Sequence, residues 1–187
     1  MPATQLDPKC ALIVVDLQKG IVGLSFAHPI TDVIAKTRML LDAFRKAEQT
    51  VVLVNVASVP RGRTNRPRSI YVFPADQTEV IAEMNAQPGD ILITKNAWGA
   101  FLGTDLDSRL KSAGVTHVVL TGVATSVGVE STAREAYALG FNVTLAIDAM
   151  TDSSDAAHVN SVSQIFPKLG ETDTSQKILS LLTTRSA

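Results

Sequence analysis

Five short apolar runs punctuate the chain: Ala11-Leu12-Ile13-Val14-Val15, Val51-Val52-Leu53-Val54, Ile91-Leu92-Ile93, Val118-Val119-Leu120 and Val143-Thr144-Leu145-Ala146-Ile147. Each is rich in β-branched residues, nearly free of polar ones and too short for a helix. The pattern predicts strands buried on both faces, as in a parallel sheet; a half-exposed antiparallel sheet would alternate instead. Between the runs the spacing turns helical. Ile34, Met39, Leu40 and Phe44 recur at helical intervals, Leu106 and Leu110 bracket one turn, and Ala133, Ala136, Tyr137 and Leu139 form a third group.

The punctuation agrees with these elements. Thr104 suits the N-cap of the Leu106 helix and Gly114 its stop. Gly140 closes the helix before the Val143 strand, and Ser153 or Ser154 opens the one carrying His158 and Ile165, which Pro167 ends. A final amphipathic helix is expected over about Thr174 to Leu182. Strands alternating with helices predict right-handed βαβ crossovers and an α/β fold, read as a single domain over residues 1–187. In such a sheet, ligands bind beyond the carboxyl ends of the strands, where the strand order reverses.

Composition narrows the function classes. The net charge of −1 gives no broad attraction to nucleic acid or acidic membranes, although Arg61, Arg63, Arg66 and Arg68 crowd one stretch. No apolar run approaches the ~20 residues that span a bilayer. One cysteine, Cys10, excludes an internal disulfide and a cysteine-rich metal site. The first residues lack the basic-then-apolar pattern of a signal peptide, so a cytoplasmic location is expected.

The strand-end rule singles out three places. Asp16 follows the first run, either capping a turn or serving as a carboxylate whose pKa desolvation raises toward acid–base work. Lys95 follows the third run, either a solvated loop residue or, if the strand ends converge, the partner that orients Asp16. After the fourth run, Thr121-Gly122-Val123-Ala124-Thr125-Ser126-Val127-Gly128 turns sharply through small residues into a helix. Such a turn presents backbone N–H groups to an anion, or merely packs tightly. The stretch Asp16-Leu17-Gln18-Lys19-Gly20 carries neither a Gly-x-Gly-x-x-Gly motif nor a phosphate-binding lysine loop, which argues against a nucleotide-binding domain.

Taken together, Val14-Val15-Asp16-Leu17-Gln18, Lys95, Thr121-Gly122-Val123-Ala124-Thr125, Val129-Glu130-Ser131-Thr132-Ala133-Arg134-Glu135-Ala136 and Asp148-Ala149 resemble the isochorismatase-like, or cysteine hydrolase, family. The resemblance implies a three-layer Rossmann-like fold with a mostly parallel six-stranded sheet. It also implies an Asp-Lys-Cys triad and often a cis peptide, here Val123–Ala124. Asp16 and Lys95 match the triad, but Gly128 stands at the cysteine position. Cys10, at the far end of the first strand, is expected to be buried packing. Ser126, Thr125 and Ser131 lack an evident base, with His28, His117 and His158 read as surface or packing residues.

True isochorismatases resemble this chain in having glycine there. They hydrolyse a vinyl ether by protonating the alkene, with no nucleophilic side chain. The implied function is hydrolysis of a small acidic metabolite, with Asp16 as general acid, Lys95 as its electrostatic partner, and water entering the space vacated at Gly128. Gln18, Trp98, Ala124, Thr125 and Val127 are the expected substrate contacts, with Arg61 and Arg66 as carboxylate binders. Phe26 and Phe101 could line the pocket too, but read as core packing. The isochorismatase tyrosine and glutamine contacts are replaced by Ala124 and by Ser58 or Val59. The histidines of the nicotinamidase metal site are missing from Asn55-Val56-Ala57-Ser58-Val59-Pro60, so neither metal nor cofactor is expected. A homo-oligomer is implied. The alternative reading is a catalytically silent family member that binds small molecules or other proteins.

Overall fold

The computed structural model describes residues 2–65 and 72–184. Six strands run in chain order: β1 (Cys10–Val15), β2 (Thr50–Val56), β3 (Ile91–Lys95), β4 (His117–Val123), β5 (Asn142–Thr151) and β6 (Glu171–Asp173). They form one sheet in the order β3-β2-β1-β4-β5-β6, with every neighbouring pair parallel. From β1 the chain winds outward to β3, and from β4 outward to β6, so the order reverses between β1 and β4. The helices are α1 (Lys19–Val22), α2 (Ile30–Lys46), α3 (Leu106–Ser112), α4 (Glu130–Ala138), α5 (Asp155–Asn160) and α6 (Ser175–Thr184).

The two-residue period of β1 builds both cores. Ala11, Ile13 and Val15 point to the layer of α3 and α4, where Leu106, Leu110, Ala133 and Ala136 are buried. Cys10, Leu12 and Val14 point to the opposite layer, against Leu40, Leu41 and Phe44 of α2 and Ile178 and Leu182 of α6. Helices therefore cover both faces, the three-layer arrangement predicted for uninterrupted apolar strands. No helix among the described residues is long and apolar enough to cross a membrane.

The predicted punctuation has a visible mechanism. Ser154 caps α5, its hydroxyl accepting the Ala157 N–H at 3.3 Å, whereas the N-cap of α3 is Asp105 and Thr104, one residue earlier, accepts the Leu106 N–H at 3.3 Å. Gly114 and Gly140 take φ values of +72° and +87° after α3 and α4. Two further expectations need correction, and one strand lies outside the apolar pattern. Leu92 is 61% exposed, because β3 is an edge strand and only one of its faces is fully covered. Met39, Tyr137 and Leu139 lie on the outer sides of their helices rather than in the core. Lastly, β6 has the polar sequence Glu-Thr-Asp, which no search for apolar runs detects.

Candidate active site

The site lies at the carboxyl ends of β1, β3 and β4, beside the reversal of strand order. Asp16 leaves β1 with φ of +55°, in the left-handed region that Asp tolerates better than most residues. Its N–H still donates to the Val54 carbonyl at 2.9 Å, so the chain turns without losing the edge of the ladder. Lys95 ends β3, two strand positions away, a separation of about 10 Å across β2. Only a long side chain closes that gap. The Lys95 ammonium lies 2.9 Å from Asp16 Oδ2 and donates to the Trp98 carbonyl at 2.5 Å.

Both members of the pair are buried, Asp16 at 6% and Lys95 at 1% exposure. Burial pushes the Asp16 carboxyl up to about 6, against the opposing pull of the Lys95 charge and hydrogen bond. Asp16 Oδ1 is buried and has no hydrogen-bond partner. Buried polar atoms without a partner in the protein are rare, and one beside a cavity is placed to bond a water or a ligand. Asp16 and Lys95 together line a cavity of about 250 Å³ whose other walls are mostly apolar.

Gly122 permits the close approach of β4 to β1. With φ of +111°, it stands where a Cβ would sit 2.1 Å from the Val15 carbonyl oxygen. The next peptide, Val123–Ala124, is cis, as the resemblance implied. A π-helical turn over Thr125–Val129 then leads into α4. Asp152 ties this turn to its surroundings. Its Oδ2 accepts both the Ser126 N–H and hydroxyl at 2.8 Å, its Oδ1 accepts the Ser154 N–H at 3.2 Å, and its carbonyl accepts the Ala27 N–H. One residue thus fastens the loop before α2, the π turn and the start of α5.

The expected site residues divide sharply. Trp98, Ala124 and Val127 line the cavity together with Gly128. Gln18 does not. It is fully buried, its amide nitrogen donating to the Val56 and Gln77 carbonyls while its Oε1 accepts the Val56 N–H. It braces the end of β2, a structural role. Thr125 is also fully buried, its hydroxyl 2.9 Å from His158 Nδ1. His158, expected on the surface or in packing, therefore meets a hydroxyl, but neither side chain lines the cavity. Burial and the adjacent His28 ring hold the His158 pKa below its ordinary value. Arg61 is exposed and does not line the cavity, while Arg66 and Arg68 lie outside the described residues.

The space expected at Gly128 is also smaller than supposed. A Cβ there would lie 3.0 Å from Asp16 Oδ2, from the Val123 carbonyl oxygen and from Val15 Cγ1. Room for water is in the cavity in front of the glycine, not at its missing side chain. Gly128→Ala should therefore push the Asp16 carboxylate aside. Overpacking outweighs the helical gain of alanine, so a net loss of about 1 kcal/mol is expected from denaturant midpoints. Ile21, Leu24, Phe26, Val56 and Phe73 complete the walls. The strand-end rule could have found Val56. Phe26, read as core, instead reaches the cavity wall from a loop, and nothing in the sequence marks Phe73, which does the same. Phe101 is core, as read. Among the described residues, no group of three or more His, Cys, Asp or Glu side chains could hold a metal ion.

The parallel sheet thus places a buried acid and amine beside its reversal of strand order, and the isochorismatase domain model matches residues 10–177. The chain belongs to the isochorismatase family and is a hydrolase of small molecules. It is 40% identical over 178 residues to the isochorismatase family protein YwoC of Bacillus subtilis, covering 91% of this chain and 93% of that one. The structure of an isochorismatase family protein from Burkholderia thailandensis superposes with a TM-score of 0.92 at 40% identity, covering 96% and 98% of the two chains. The N-carbamoylsarcosine amidase of Thermoplasma acidophilum superposes at 0.74 and 26% identity, covering 89% and 96%.

Proposed function

We propose that the protein, acting as one hydrolase domain, hydrolyses a vinyl ether, with Asp16 as general acid and no covalent intermediate. The observation that carries this reading is the state of Asp16. Its carboxyl is buried with a pKa near 6, one oxygen is held by Lys95, and the other has no partner beside a cavity. A carboxyl so placed is still about one-tenth protonated at pH 7, far more than an ordinary Asp, and can give that proton to a carbon atom. Gly128, at the position that the family resemblance assigns to the cysteine, offers no thiol for an acyl-enzyme.

The step balances without a nucleophilic side chain. Asp16 donates its proton to the terminal alkene carbon, and the π electrons form the new C–H bond. The carbon bearing oxygen becomes an oxocarbenium ion. Water adds there, its surplus proton passes to the Asp16 carboxylate, and the hemiketal collapses to an alcohol and a carbonyl compound. Lys95, 2.9 Å from Oδ2, stabilises the carboxylate during its ionised interval. The proposal places the enzyme in the cytoplasm as a homo-oligomer, in keeping with its single cysteine and its family resemblance.

A substrate panel tests the chemistry. The wild-type protein and Asp16→Ala are compared on alkyl and aryl vinyl ethers and on small amides of matched size. Vinyl-ether turnover that Asp16→Ala loses by a factor of about 10² or more is the expected outcome. Equal rates in the two proteins would remove the mechanism. Turnover of amides alone would move this chain to the chemistry named for its Thermoplasma relative. Ligand stabilisation with no turnover of either class would leave the silent binding protein.

A further inference from the structure

We propose that His158 is a positioning residue: it holds Thr125 by its hydroxyl and so keeps the π turn, one wall of the cavity, packed against Asp16. The inference rests on the reading of Asp16 as the reacting acid, but its test needs no turnover. Thr125 opens that turn and is fully buried, its hydroxyl 2.9 Å from His158 Nδ1. Further along the same turn stands Gly128, where a Cβ would lie 3.0 Å from Asp16 Oδ2. Ala124 and Val127 line the cavity beside it. A shift of Thr125 therefore reaches the carboxyl through one short stretch of backbone.

The direction of the hydrogen bond makes this contact specific to a neutral imidazole. Among the described residues the Thr125 hydroxyl has no other partner, so it donates, and Nδ1 accepts with the ring proton on Nε2. An imidazolium or an apolar side chain there would leave the hydroxyl proton buried without an acceptor, a penalty that favours a displaced turn. Burial and then His28, whose ring centroid is 4.8 Å away, disfavour a second proton on His158, whereas Asp155 and Asp152 favour one. Asp32, Lys36 and Asp148 line a further cavity that both imidazoles border. Burial and His28 prevail, and the ring is neutral at pH 7.

His28 fastens a second wall in a similar way. Its backbone N–H donates to the Thr151 hydroxyl at 3.1 Å, with Nδ1 at the same distance, and so ties down the loop that brings Leu24, Ser25 and Phe26 to the cavity. The adjoining rings thus link two walls. Asp152 is a separate fastening, on Ser126, and leaves the Thr125 side chain to His158.

Amide hydrogen exchange and the titration of the Asp16 carboxyl, both followed by NMR in the intact protein, test the assignment. In His158→Leu, the Ser126, Val127 and Val129 N–H groups, each hydrogen-bonded in the wild type, should exchange at least about tenfold faster while the β1 amides stay unchanged. Water admitted at the turn should lower the Asp16 pKa from about 6 toward 3.8. His158→Asn, whose Oδ1 stands where Nδ1 stood, should restore both values. Thr125→Val removes the same bond from its other end, so adding it to His158→Leu should cause no further loss. Turn amides unaffected by His158→Leu overturn the inference, as do failure of Asn to restore them and further loss in the double variant. Faster exchange with Asp16 still titrating near 6 reduces His158 to a structural role, which overturns this inference and leaves the proposed reaction standing. A wild-type Asp16 that titrates near 3.8 sinks the proposed reaction and this inference with it.

Discussion

Vinyl-ether kcat/KM is expected to fall about tenfold for each pH unit above 6, reaching roughly one hundredth of its plateau at pH 8. The reason lies in one group. Asp16 must carry a proton to act as the acid, and burial places its pKa at about 6. Lys95 works in the opposite direction, lowering that pKa by its charge and its hydrogen bond. Lys95→Met should therefore move the descending limb to higher pH, although the plateau itself should drop because the developing carboxylate loses its partner. A pH–rate profile of both proteins on one substrate decides the matter. A rate that rises through pH 6 would make Asp16 a base and would exclude the alkene-protonation step.

Asp16→Asn is expected to cost about 10² to 10⁴ in kcat/KM and yet to unfold at a higher denaturant midpoint than the wild type at pH 7. The sign follows from linkage. The folded protein binds the Asp16 proton more tightly than the unfolded chain, whose carboxyl has the ordinary value of 3.8. Stability from this group is full below pH 3.8 and is lost as pH rises through about 6. Above that window the buried charge costs on the order of 3 kcal/mol, which a neutral amide of the same shape avoids. The advantage should vanish near pH 4, where the wild-type carboxyl is protonated as well. Denaturant titrations at pH 4 and pH 7 read both values. A variant less stable than the wild type at pH 7 would mean that attraction to Lys95 outweighs desolvation, contrary to the raised pKa.

Much of this architecture was legible because burial on two faces writes itself as uninterrupted apolar residues. β1, β2, β4 and β5 are therefore plain in the sequence, down to the glycines that stop the helices between them. β3 is legible as a strand but not as an edge, since Leu92 is as apolar as its buried neighbours. β6 is illegible because Glu171, Thr172 and Asp173 need only one partner strand and no core. Within the site, Asp16 and Lys95 follow from their positions just beyond apolar runs. Their meeting does not, because 79 positions and an intervening strand separate them in the chain and the sheet. Gln18 shows the opposite failure. A polar side chain three residues past a strand reads alike whether it faces a ligand or, as here, three backbone groups of β2 and its neighbouring loop. Loop-borne walls such as Phe73 carry no periodic signal at all.

The acid and the amine do not stand on equally firm ground. Asp16 grows from a strand enclosed by neighbours on either flank, whereas Lys95 grows from the sheet's outermost strand, laddered along one side only. Peripheral strands fray through small local openings, long before a sheet dissolves. Such an opening would carry the Lys95 ammonium away from Asp16 and remove the charge that lowers its pKa. In the proposed mechanism, such openings would interrupt turnover while the molecule as a whole remains folded.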